Sequence, residues 1–176
     1  MKDKADAIHN YILAKDSNRP FLLDDAFTEN ATLKMIVRTD SIAFPASSVG
    51  RDAIAEVFVR QFNQKYENIH TICVGVRPEI NVEKFSCSWV VVMSEKETGL
   101  LRVGCGRYDW EFCLSTNLVQ ALAITIDYMG TETLPSLKPA MLWMSGLPYP
   151  WCDVSVVAKE PPKIPAVMRV VEQLHR

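Results

Sequence analysis

Histidine is scarce in this chain, with only His9, His70 and His175. His70 opens a run rich in strand formers, residues 69–76, and is the histidine best placed for proton transfer near neutral pH. Arg107 and Asp109 lie two apart in another such run, so both leave the same face of a strand, together with Cys105. On a concave face they would form an ion pair in a pocket, where burial shifts pKa values. On an open face they would be a sheet salt bridge in water. Tyr11 is a phenol on a helix, either an oxyanion donor or a core aromatic with a bonded hydroxyl. A Cys87–His70 dyad from neighbouring strands lacks any supporting sequence context. The histidines have no H-x-x-H or H-x-E spacing, which argues against a zinc centre, and no metal or cofactor is expected.

The elements that must position these groups are bounded by composition. A chain of 176 residues fits one domain and can bury a substantial core. Its 48% hydrophobic and 23% charged residues are ordinary for a globular protein. A net charge of −2 without blocks of like charge gives no footprint for nucleic acid. The charged start, Met1 to Asp6, lacks the apolar core of a signal peptide, and apolar runs are too short to span a bilayer. The five cysteines (Cys73, Cys87, Cys105, Cys113, Cys152) are odd in number and have no C-x-x-C pair. Reduced thiols in a cytoplasmic protein are the expectation.

Periodicity predicts a helix over residues 4–16, with Ile8, Tyr11, Ile12 and Lys15 on one face. Pro20 opens a second, short helix through Phe27. A short strand at residues 31–37 and a loop over residues 38–50 precede a third helix, residues 51–66, striped by Ile54, Val57, Phe58 and Phe62. Four strands follow: 69–76, 85–93, 100–112 and 118–129. Short turns make the consecutive strands antiparallel. A thirteen-residue strand spans roughly 40 Å and must twist and curl. Gly104 and Gly106 suit that bend. Helices first and strands after indicate an α+β fold. A helix capped by Ser136 and stopped by Gly146, the rigid stretch 147–152, and a last helix with Val167, Val170, Val171 and Leu174 form an extension. It is expected to pack on the domain or on a second subunit.

The order of these elements resembles the nuclear transport factor 2-like superfamily and its SnoaL-like group of polyketide cyclases. The likeness is carried by residues 7–16 (AIHNYILAKD), 26–33 (AFTENATL) and 50–54 (GRDAI), with Gly106-Arg107-Tyr108 and Ile124-Thr125-Ile126-Asp127. It covers about residues 5–129. It implies a cystatin-like cone over residues 1–130, in which three N-terminal helices pack against a curved antiparallel sheet and leave a pocket for a small hydrophobic molecule. Residues 131–176 form a C-terminal helical extension with no counterpart in the resemblance. Tyr11 falls where ketosteroid isomerase, a worked example of tuned acid–base chemistry, has its tyrosine, but that enzyme's two carboxyls align with Met35 and Cys105. His70 resembles one of two pocket histidines in scytalone dehydratase, without the second. Limonene epoxide hydrolase pairs arginine with aspartate, and its second aspartate aligns with Ile124. The resulting expectation is a cofactor-free lyase or isomerase. His70 moves the proton, Asp109 assists, and Tyr11 and Arg107 stabilise oxyanion character, while Phe27, Trp89 and Phe58 contact the ligand. A non-catalytic binding module and an accessory subunit are the alternatives, and a homodimer is expected in each case.

Overall fold

The computed structural model describes residues 2–176. Helix α1 (Lys4–Asp16) begins at a capping box. The Asp3 carboxylate accepts from the Asp6 N–H, and the Asp6 carboxylate accepts from the Asp3 N–H. A 3₁₀ helix (Pro20–Asp25) leads into β1 (Phe27–Val37). After a loop and the short β2 (Ser47–Val49), a helical rod follows: α2 (Arg51–Ala55), a π-helical stretch (Glu56–Gln61) and α3 (Phe62–Lys65). Then come β3 (Tyr66–Val74), β4 (Lys84–Glu95), β5 (Leu101–Phe112) and β6 (Val119–Glu132). The C-terminal segment holds α4 (Leu137–Ser145), β7 (Trp151–Cys152), α5 (Val154–Val157) and α6 (Pro165–Leu174).

The fold is α+β, with the helices against one seven-stranded curved sheet in the order β2-β1-β6-β5-β4-β3-β7. The sheet is mixed rather than wholly antiparallel, because β1 runs parallel to β6 and β7 parallel to β3. The long excursion from β1 to β6, through the rod and four strands, permits a parallel pairing that no hairpin could make. Three further boundaries differ from the sequence reading: β1 starts at Phe27 rather than at residue 31, the expected loop contains β2, and Tyr66 starts a strand rather than ending a helix. Ser136 stands at the N-cap of α4 as expected, although its side chain makes no cap hydrogen bond.

The two faces of the sheet bury different partners. Toward α1 and the rod point Cys87, Trp89, Val91 and Met93 of β4, Tyr108, Trp110 and Phe112 of β5, and Leu122, Ile124 and Ile126 of β6. The opposite face carries Ile72, Val74, Val90, Val92, Val103 and Cys105, and α4, α5 and α6 cover it with Ala140, Met144, Val157, Val167 and Val170. The extension thus buries part of its apolar surface within its own chain, while Leu134, Leu142, Val156 and Met168 remain exposed. The bend falls at Gly106, where the β5–β6 register shifts. A Cβ there would lie 1.8 Å from the Thr125 carbonyl oxygen, so only glycine permits the approach.

Candidate functional site

The concave face of the sheet, α1 and the rod enclose a cavity of about 50 Å³. Its wall is almost wholly apolar, formed by Met35, Ile42, Phe44, Phe58, Phe62, Trp89, Val91, Met93, Ile124, Ile126 and Met129, with Tyr11, Tyr108, Lys15 and Thr71 beside them. The π-helical stretch sits where Phe58 meets this wall. Its wider turn leaves carbonyls short of normal helical donors, and the buried Asn63 amide bonds both the Val59 and Lys15 carbonyls at 2.8 Å. Asn63 thereby ties α3 to the last turn of α1, which carries Lys15.

Lys15 is the unusual group here. A lysine on a buried helix face is rare unless paired, and its side chain and that of Asp16 are only 9% and 7% exposed. Lys15 Nζ donates to Asp16 Oδ1 at 2.5 Å and to Thr71 Oγ1 at 2.8 Å. The Thr71 hydroxyl donates to Asp16 Oδ1 at 3.0 Å, and the Thr71 N–H donates to Asp16 Oδ2 at 2.7 Å. The carboxylate thus accepts from three donors, whereas the ammonium has a third N–H beyond this network. Nζ also lies 5.3 Å from the centre of the Phe62 ring, a cation–π contact at the cavity wall.

Tyr11 lies at the centre of an aromatic cluster, edge-on to Phe27, Tyr108 and Trp110 at centroid distances of 5.6, 6.1 and 5.7 Å. Burial, then the nearby Asp16 charge, pushes its phenol well above the ordinary tyrosine value, so it stays protonated and can act only as a neutral donor or acceptor. Tyr108 is displaced upward for the same first reason. Neither phenol has a hydrogen-bond partner among the described residues. The buried Trp89 indole N–H is also without one.

The structure brings together only some of the residues singled out from sequence. Tyr11, Trp89 and Phe58 line the cavity, but Phe27 packs against Tyr11 without reaching it. Arg107 and Asp109 do pair, with Nε to Oδ1 at 2.9 Å, but on the convex face, their side chains 59% and 39% exposed. The pocket placement for this pair is thereby corrected. Alternation along β5 carried the signal: Tyr108, Trp110 and Phe112 face the helices, so Arg107, Asp109 and Glu111 must face outward.

His70 is also outside the cavity. It lies on β3, its ring 5.3 Å from that of Tyr149, which meets His9 at the same distance. Burial lowers the His70 pKa, and its Nε2 has no partner among the described residues. Lys15 was read as part of a helical stripe and assigned no chemistry. The available signal was a lysine on the apolar face of α1, followed directly by an aspartate.

No protein-family model and no curated protein matches this chain. Solved structures do. A proposed isomerase from Rhodopseudomonas palustris shares 14% identity, covering 72% of this chain and 92% of its own, with a TM-score of 0.59. A nuclear transport factor 2-like protein of unknown function from Exiguobacterium sp. 255-15 shares 19% identity over 69% of this chain and 98% of its own, TM-score 0.51. The chain has the nuclear transport factor 2-like fold. A third structure with this fold is Rv0760c from Mycobacterium tuberculosis, in complex with estradiol-17beta-hemisuccinate. It is 10% identical over 70% of this chain and 93% of its own, TM-score 0.55. Identities this low establish the fold, not the chemistry. No helix among the described residues is long and apolar enough to cross a membrane.

Proposed function

We propose that this chain is a SnoaL-like small-molecule-binding protein whose concave cavity holds a compact, mostly apolar molecule bearing an oxygen acceptor. The observation that carries this reading is Lys15, a residue of an almost wholly apolar cavity wall whose buried ammonium uses two of its three N–H groups on Asp16 and Thr71. Tyr11 and Trp89 line the same cavity, and the buried Trp89 indole N–H has no partner among the described residues. Unpaired donors in an apolar hollow cost stability, and a ligand oxygen would offset that cost. The complex of Rv0760c with a steroid ester fits this type of use for the fold.

An acid–base lyase or isomerase is the second reading, favoured by Lys15 and the protonated Tyr11 sharing one cavity. Both could stabilise an enolate oxygen formed from a carbonyl substrate, the α-proton passing to a base from solvent. Asp16 already accepts three hydrogen bonds from Lys15 and Thr71. His70, Asp109 and Arg107 would act only through groups between them and the cavity. Deuterium exchange at the α-carbon of 2-indanone separates the readings. Exchange lost in Tyr11→Phe supports catalysis, and exchange no faster than in buffer leaves binding alone.

Three of the seven methionines (Met35, Met93 and Met129) line the cavity and serve as reporters for the binding reading. Acetone, with four heavy atoms and one carbonyl oxygen, is small enough to enter. Titrating protein labelled at the methionine methyls should shift those three signals saturably and leave exposed Met168 unmoved. Equal, non-saturating shifts of all seven would defeat the proposal.

A further inference from the structure

Beside the cavity lies a second hollow of about 310 Å³, lined by residues 41–45 together with Val57, Gln61, Phe62, Lys65 and Tyr66. The two spaces share Ile42, Phe44 and Phe62. The wall between them is therefore made of side chains, one of which belongs to an irregular loop. Phe44 is half-buried, stacked on Phe58 with centroids 5.5 Å apart and planes 13° from parallel, and on Phe62 at 6.3 Å and 25°. Near-parallel stacking of one ring against two others marks out a flat slot.

The loop is held on both sides of this ring but not at it. Ser41 Oγ donates to the Met129 carbonyl at 2.7 Å, Arg102 donates to the Ser41 carbonyl, and the Met35 N–H donates to the Ala46 carbonyl at 2.9 Å. No hydrogen bond to residues 42–45 is found among the described residues. Displacing Phe44 thus breaks apolar contacts alone. The size of the inner cavity points the same way. At about 50 Å³ it falls well short of the ~150 Å³ hollow that accommodates benzene in an engineered protein core. Any ring-sized guest requires a side chain to leave, and Phe44 opens directly onto the larger hollow.

We propose that Phe44 is a tethered plug, occupying the site of a planar aromatic ligand that displaces it by stacking on Phe58 and Phe62. This rests on the binding reading above and names its ligand class: a flat ring, with an oxygen substituent for the donors deeper in the cavity. A saturated ring system of equal size lacks the flat face that the slot selects. Phe44 competes with the guest, so removing its ring strengthens binding of a planar ligand. The loop is then a specificity element as well as a gate.

The test compares wild type, Phe44→Ala and Phe44→Leu by calorimetric titration with 2-naphthol and with decahydro-2-naphthol, which matches it in size but is not planar. Circular dichroism checks each fold, and the Leu variant preserves the apolar contact should the Ala variant unfold. Expected are about tenfold tighter binding of 2-naphthol by Phe44→Ala than by wild type, an intermediate gain in Phe44→Leu, and about tenfold preference for the planar compound. Equal or weaker binding by both variants overturns the plug and makes Phe44 ordinary wall. If acetone still shifts the cavity methionines in that case, the binding reading stands without the plug. If no protein binds either probe and acetone also fails, both fall together.

Discussion

At the residue scale, the site turns on one buried charge pair. Lys15 and Asp16 are adjacent in sequence, and the Thr71 hydroxyl and N–H complete their network. Truncating one member of a buried pair leaves the other uncompensated, so Lys15→Met should destabilise the chain by about 3 kcal/mol in urea unfolding. Adding Asp16→Asn removes the stranded charge and should recover part of that loss. Additive losses instead would show that the pair is not coupled. The helical spacing puts Lys15 on the correct face of α1 but gives it no role, because side-chain pattern alone does not reveal that α1 faces Thr71 on β3. The Arg107–Asp109 pair was legible as a pair sharing one face. Its outward direction was legible too, in the aromatic residues that alternate with it.

Single elements impose their own constraints. Gly106 lies where β5 bends against β6, and an added methyl would collide with the Thr125 backbone rather than with a side chain able to move aside. Gly106→Ala should therefore cost about 3 kcal/mol, read as a lowered urea midpoint. A neutral outcome would mean that the strands separate there at little cost. Strand β3 gives a pH signature. Burial lowers the pKa of His70 from 6.5, opposed by the Asp16 charge and reinforced by Lys15, with the Tyr149 ring packed against it. Between the lowered folded value and 6.5 the unfolded chain binds more protons. The contribution of His70 is thus fully present above pH 6.5 and declines as pH falls below it. Unfolding midpoints at pH 7.5 and 5.5 should separate less in His70→Gln than in wild type, and an unchanged gap would contradict this. The contact itself was not legible, since nothing near residue 70 indicates that Tyr149 reaches it.

For the whole molecule, strand order and the wrapping of the C-terminal segment decide what is exposed. The helices-then-strands order made the α+β class readable, and alternation within β4, β5 and β6 made their two-faced character readable. The parallel pairing of β1 with β6 was not, because it joins segments far apart in sequence through register alone. The apolar stripe of α6 suggested packing on the domain or on a partner, and the structure places Val167 and Val170 fully buried on the outer sheet face. Burying a carboxylate there is costly. Val170→Asp should release α6, uncover Val90, Val92 and Val103, and shift the chain to larger species in size-exclusion chromatography. An unchanged elution volume with unchanged stability would show that α6 contributes little.

The central claim is that an apolar hollow keeps a donor in reserve for the oxygen of a guest. A high-resolution crystal structure from crystals soaked in acetone tests it most directly. The account predicts acetone among Met35, Phe58 and Trp89, its oxygen within about 3 Å of Lys15 Nζ. A cavity with no acetone in it, while the solvent binds elsewhere on the surface, would contradict it.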